Sequence, residues 1–86
     1  MNHIEQTLVE IATAALVRAG HGQSSAKVIA LETLADHIIQ QSIRIRDNAK
    51  FAEGKTYYRE IREADELLSR ANNIMAQAAE LRKEAE

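Results

Sequence analysis

"VIALETLADHIIQQSIRIRDNAKFA", residues 28–52, is the longest patterned stretch of the chain and contains neither Gly nor Pro. Val28, Leu31, Leu34, Ala35, Ile38, Ile45, Ala49 and Ala52 return mostly at steps of three and four, the spacing that lines one face of an α-helix. Ile29, Ile39 and Ile43 form a second flank. A helix holding this pattern from Ser25 to Ala52 has about 28 residues and is roughly 42 Å long at 1.5 Å per residue. A rod that is apolar on two sides packs against more than one neighbour. The fold must therefore be built around it.

The chain on either side is helical too. Ile4, Leu8, Ile11, Ala12, Ala15 and Ala19 make one stripe and predict a first helix over residues 3–19, which Leu16 and Val17 widen at its end. Gly20 stands where that helix must stop, because glycine takes positive φ without a Cβ penalty. Ser24 or Ser25 offers a hydroxyl to cap the central helix. In the second joint, "EGKT" at 53–56, Gly54 can end the central helix and Thr56 can cap a third.

A seven-residue register then runs almost to the end. Ile61, Leu68 and Met75 share one position; Tyr57, Ala64, Ala71, Ala78 and Ala85 share another; Leu67, Ile74 and Leu81 flank them. Alanine on a seam lets a neighbouring helix approach closely. The expected fold is all-α: one domain over residues 1–86, with helices at about 3–19, 25–52 and 56–84.

Eighty-six residues bury only about 60–65% of the surface they expose unfolded, and association is the usual remedy for that shortfall. A helical-bundle homodimer is expected. Its interface would use Leu31, Leu34, Ile38 and Ile45 of the central helix and Ile61, Ala64, Leu68, Ala71 and Met75 of the third. The absence of cysteine excludes disulfides, thiolate metal sites and cysteine nucleophiles. No run approaches the ~18 apolar residues of a membrane span. Glu5 interrupts the start "MNHIEQTLVE" where a secretory leader needs basic and then unbroken apolar residues. A cytoplasmic protein is expected.

Chemistry-bearing residues do not assemble into a site. His3, His21 and His37 lack a close ligand spacing. Glu60 and Glu63 form the ExxE pair used by all-helical nucleotide pyrophosphohydrolases, but Glu32 and Asp36 make a poor second pair to hold Mg²⁺. Ser24 and Ser25 lie near His21 without an orienting acid. No catalytic residue, metal site or cofactor is expected, and the chain reads as a non-enzyme.

Charge is the more informative signal. The net charge is −2, yet residues 44–62 hold six basic side chains against three acidic ones, while residues 63–86 hold three against six. This basic waist places Arg44, Lys50, Lys55, Arg59 and Arg62 around Phe51, Tyr57 and Tyr58. Such a set can contact a protein partner or phosphates of a nucleic acid. With Asp47, Glu53 and Glu60 interleaved, it can also serve only as a solvated face that complements the helix dipole.

The order of short helix, loop, long helix and loop resembles the histone fold. "LVRAGHGQSSAKVIALETLADHIIQ" is similar to the first-helix end, loop and central helix of histone-fold subunits of transcription factor IID and of the centromere. "RDNAKFAEGKT" is similar to their A-x-x-A-x-x-Gly-x-x-Thr passage. The resemblance covers residues 8–56 and implies an obligate dimer, with Lys55 and Thr56 as second-loop phosphate contacts and a nucleoid or nuclear setting. The chain departs from that family in its long third stretch, "TYYREIREADELL" onward, and in its negative charge. In general style it also resembles short all-helical accessory proteins of bacteria and temperate phages, which implies a small regulator of host processes.

Overall fold

The computed structural model describes residues 1–85, which form three helices and no strand: α1 (His3–Arg18), α2 (Gln23–Ala49) and α3 (Gly54–Ala85). α1 opens on a capping box. The Asn2 side chain accepts a 2.8 Å bond from the Glu5 N–H, and the Glu5 carboxylate accepts one of 3.1 Å from the Asn2 N–H. Two of the helix's orphan donors are thereby satisfied. α1 ends as the sequence predicts. Gly20 takes φ 108°, its N–H bonds Val17 O, and the His21 N–H bonds Leu16 O. This pair of bonds is the Schellman stop, and the positive φ explains the glycine.

The other boundaries differ from expectation. α2 begins at Gln23 with Gly22 as its cap, and no side chain bonds the exposed N–H groups. Ser24 and Ser25 lie inside the first turn and face solvent. α2 ends at Ala49, three residues early, where N–H groups of Lys50, Phe51 and Ala52 bond carbonyls three residues back. These bonds tighten and close the last turn. Gly54 (φ 60°) is already the first residue of α3, so Thr56 is not its cap.

α2 and α3 form an antiparallel hairpin along nearly their whole length. Its seam on α2 is Val28, Leu31, Ala35, Ile38, Ser42 and Ala49, all buried. On α3 it is Ala64, Ala71, Ile74 and Ala78, buried, with Leu67 and Leu81 half-buried beside them. The alanines bring the backbones close enough for the buried Ser42 hydroxyl to donate 2.8 Å to Ala64 O. Ion pairs Arg46–Asp65 and Arg82–Glu32 cross the hairpin near its two ends.

α1 packs on the first half of α2 and reaches α3 through side chains, notably the Arg70–Glu5 ion pair. Here the first-helix stripe is corrected. Glu5, Val9 and Thr13 are the buried residues of α1, whereas Ile4, Leu8 and Ile11 are exposed. Hydrophobic spacing shows which residues share a face but not which face turns inward. Glu5 goes in because the Asn2 N–H and Arg70 satisfy it, and Thr13 because its hydroxyl bonds Val9 O at 2.6 Å.

The molecule measures 50 × 22 × 20 Å. Sixteen residues of α1 span about 24 Å, a little under half of that length. One half of the rod has three helices. The other is a bare two-helix tip.

Candidate functional site

The basic waist forms the tip. Arg44, Lys50, Lys55, Tyr57, Tyr58, Arg59 and Arg62 are all exposed, on the half of the hairpin that α1 does not cover. Phe51, in the turn after α2, is 89% exposed, and Tyr58 is 70% exposed. Tyr57 and Tyr58 meet edge-on, with ring centroids 5.4 Å apart. Lys50 pairs with Asp47 at 3.3 Å, one turn back along α2. Among the described residues, Arg44, Lys55, Arg59 and Arg62 make no ion pair. The first turn of α3 carries no acidic residue, so its orphan N–H groups add positive potential beside Lys55. The tip combines exposed aromatic surface, unpaired cations and a helix N-terminus.

Inside the tip, Glu60 occupies the seam position that Leu67, Ile74 and Leu81 fill further along. One of its carboxylate oxygens is buried without a hydrogen-bond partner. The sequence shows Glu60 as half of an ExxE pair with Glu63. The signal that locates it is the seven-residue step back from Leu67.

The residues expected at a dimer interface lie elsewhere. Leu31, Ile38, Ala64 and Ala71 are buried inside the chain's own hairpin, and Leu34, Ile45 and Ile61 are half-buried. Only Leu68 and Met75 remain exposed. Two seven-residue series run side by side on α3, and the alanine series with Leu67, Ile74 and Leu81 is the one that mates with α2. The Ile61–Leu68–Met75 series is left on the flank.

A second surface was not singled out from the sequence. α1 and α2 flank an open apolar groove of about 570 Å³, between Leu8, Ala12 and Leu16 on one side and Ile29 and Leu34 on the other. Its only titratable lining residue is His37. The cleft on the opposite side of α1, about 510 Å³, is lined by Glu10, Arg18 and Lys27 among others.

Glu5 is held away from its ordinary range. Burial raises its pKa, but the Asn2 N–H and the Arg70 guanidinium outweigh burial and hold the carboxyl below the usual value of 4.5. Its role is structural, joining α1 to α3. Among the described residues no three His, Asp or Glu side chains are grouped to hold a metal ion, and no helix is long and apolar enough to cross a membrane. No protein-family model, curated protein or solved structure matches the chain.

Proposed function

We propose that the protein is a non-enzymatic helical interaction module, working as a homodimer and regulating or scaffolding through a protein partner held at the α2–α3 tip. The observation that carries this reading is the exposure of Phe51 and Tyr58 among unpaired Lys and Arg side chains. An aromatic ring in a turn, almost wholly in water, adds little to folding. Aromatic and Arg side chains are also the types that dominate the energy of protein interfaces. The unpaired cations favour a partner segment that is acidic around an apolar anchor.

A pull-down from the native host with the full chain, beside the double variant Phe51→Ser/Tyr58→Ser, tests the reading. The expected result is a partner retained by the wild type and lost by the variant, with both proteins melting alike. Identical retention by both would refute the tip as the contact.

A second reading follows from the acid-free first turn of α3 beside Lys55. There the tip takes nucleic-acid phosphates, as the histone-like resemblance implies for Lys55 and Thr56. It predicts duplex DNA binding that falls steeply with salt and is abolished by Lys50→Glu with Arg59→Glu. If no binding occurs at low salt, this second reading is excluded.

A further inference from the structure

The most apolar face of α1 is turned away from its own core. Ile4, Leu8, Ile11 and Ala15 follow steps of four, three and four, which is the spacing of a coiled-coil seam. In this chain the seam has no mate: Ile4 is 70%, Leu8 52% and Ile11 62% exposed. The ridge stands beside the α1–α2 groove, and Leu8 belongs to both. Thr7 and Ala14, on the solvent side of the ridge, are small and uncharged and leave room for another helix to approach.

We infer that this face is where a second copy of the chain docks, with α1 of each copy lying in the α1–α2 groove of the other. The inference rests on the homodimeric reading and names the surface that reading lacks. Two features select a second copy rather than an unrelated helix. The first is area. A compact monomer of 9.6 kDa exposes about 5,100 Å² by the size scaling of folded chains, and this one exposes 6186 Å². The surplus of about 1,100 Å² is spread over the elongated rod, the bare tip included, and leaves room for the ~800 Å² that each partner contributes to a stable interface.

The second feature is self-complementarity. A two-fold axis requires one patch to supply both projection and recess, and a ridge adjoining a groove does so in a single operation. Charge agrees. The residues that line the groove include His37 but no carboxylate, ammonium or guanidinium group, so superposing the groove on itself opposes no like charges. The other cleft beside α1, with Glu10, Arg18 and Lys27, lacks that property. The alternative surface on the α3 flank offers Leu68 and Met75 at only 37% and 42% exposure, less than any of Ile4, Leu8 and Ile11.

Sedimentation equilibrium of the full chain tests this with two pairs of variants. The wild type is expected to be a dimer. Leu8→Lys and Ile11→Lys should weaken association by roughly 100-fold or more, because each change acts twice across a two-fold interface. Leu68→Lys and Met75→Lys should leave it intact. A wild type that stays monomeric removes the homodimeric reading itself. A dimer that survives the α1 changes, whether or not the α3 changes dissociate it, overturns the groove assignment alone.

Because the chain has no cysteine, single Ile11→Cys and Met75→Cys variants provide a second measurement. A short thiol-reactive crosslinker should join Ile11→Cys chains into dimers and leave Met75→Cys chains single. This result decides wherever a lysine variant fails to fold or both pairs dissociate. The absence of an Ile11→Cys crosslink overturns the inference.

Discussion

The two halves of the rod share one hairpin and differ in how its seam is filled. In the half covered by α1, α2 buries Val28, Ala30, Leu31, Ala35 and Ile38, and α3 answers with Ala71, Ile74 and Ala78. At the tip the buried residues are Ser42, Ala49 and Ala64, and Glu60 stands in the leucine position. Stability is set by what a seam buries rather than by its periodicity, and the periodicity is the same in both halves. The covered half should carry the stability. The tip should open first, its amides exchanging hydrogen faster than those around Leu31 and Ile74.

The largest break in that comparison comes from the covered half. Leu31 is buried almost completely, at 1% exposure. Leu31→Ala should remove about 3 kcal/mol, the transfer free energy of the lost atoms plus that of the cavity left behind. At about 4–8 °C per kcal/mol, the melting temperature should fall by about 12–24 °C. Urea denaturation followed by circular dichroism measures the change. A loss no larger than that of a tip substitution would place the stability elsewhere.

The next effect concerns the tie between α1 and the hairpin. Arg70→Ala leaves the buried Glu5 carboxylate with its Asn2 N–H alone, and should remove about 1–2 kcal/mol, since Arg70 itself is 44% exposed and partly screened. The same contact predicts a pH dependence. The folded pKa of Glu5 lies below 4.5, so the unfolded chain binds more protons in this range. The contribution is therefore complete above pH 4.5 and is lost as the pH falls through the lower, folded value. Melting curves from about pH 7 to about pH 3 should show the acid limb flattened in Glu5→Gln relative to wild type. An unchanged limb would show that other carboxylates drive the acid transition.

How much of this could be read from the residues depends on what kind of signal each feature leaves. The Gly20 stop is legible because positive φ selects glycine almost uniquely. The three helices are legible because apolar spacing is a strong local signal, and the chain has little else to punctuate it. Orientation is not legible in the same way. The Ile4–Leu8–Ile11 stripe is the more apolar face of α1, yet the face that packs is held by a capping carboxylate, Glu5, and an Arg contributed by α3, sixty-five residues away. The motif Asn2-x-x-Glu5 announces a capping box, which was the one local hint that Glu5 has a fixed place. On α3 two heptad series compete, and only the mating helix decides between them. The tip set, being a cluster along the sequence, could be collected from the sequence alone; the α1–α2 groove, formed by residues from two helices, could not.

The third effect has the opposite sign and tests the weak seam of the tip. Replacing Glu60 with Leu continues the Leu67–Ile74–Leu81 series and removes a buried oxygen that lacks a partner. Relieving such a group is worth about 1–2 kcal/mol, so Glu60→Leu should raise the melting temperature by several degrees. The gain should appear as slower hydrogen exchange in residues 43–62, with little change around Leu31. A uniform gain, or none, would mean that the two halves melt as one unit and the comparison fails.

The smallest expected effect on stability is the most telling for function. Phe51 contacts little, being 89% exposed, and Phe51→Ser should change stability by less than about 0.5 kcal/mol in either direction. A lone exposed aromatic is tolerated on a monomer, so its use as a partner anchor shows only where partner retention is measured beside stability. The proposed docking of a second copy at the α1 groove would leave the tip open to a different partner. Phe51→Ser should therefore leave both the melting curve and the dimer unchanged while abolishing partner retention. A dimer weakened by Phe51→Ser would instead place the two-fold axis at the tip and merge the two surfaces into one.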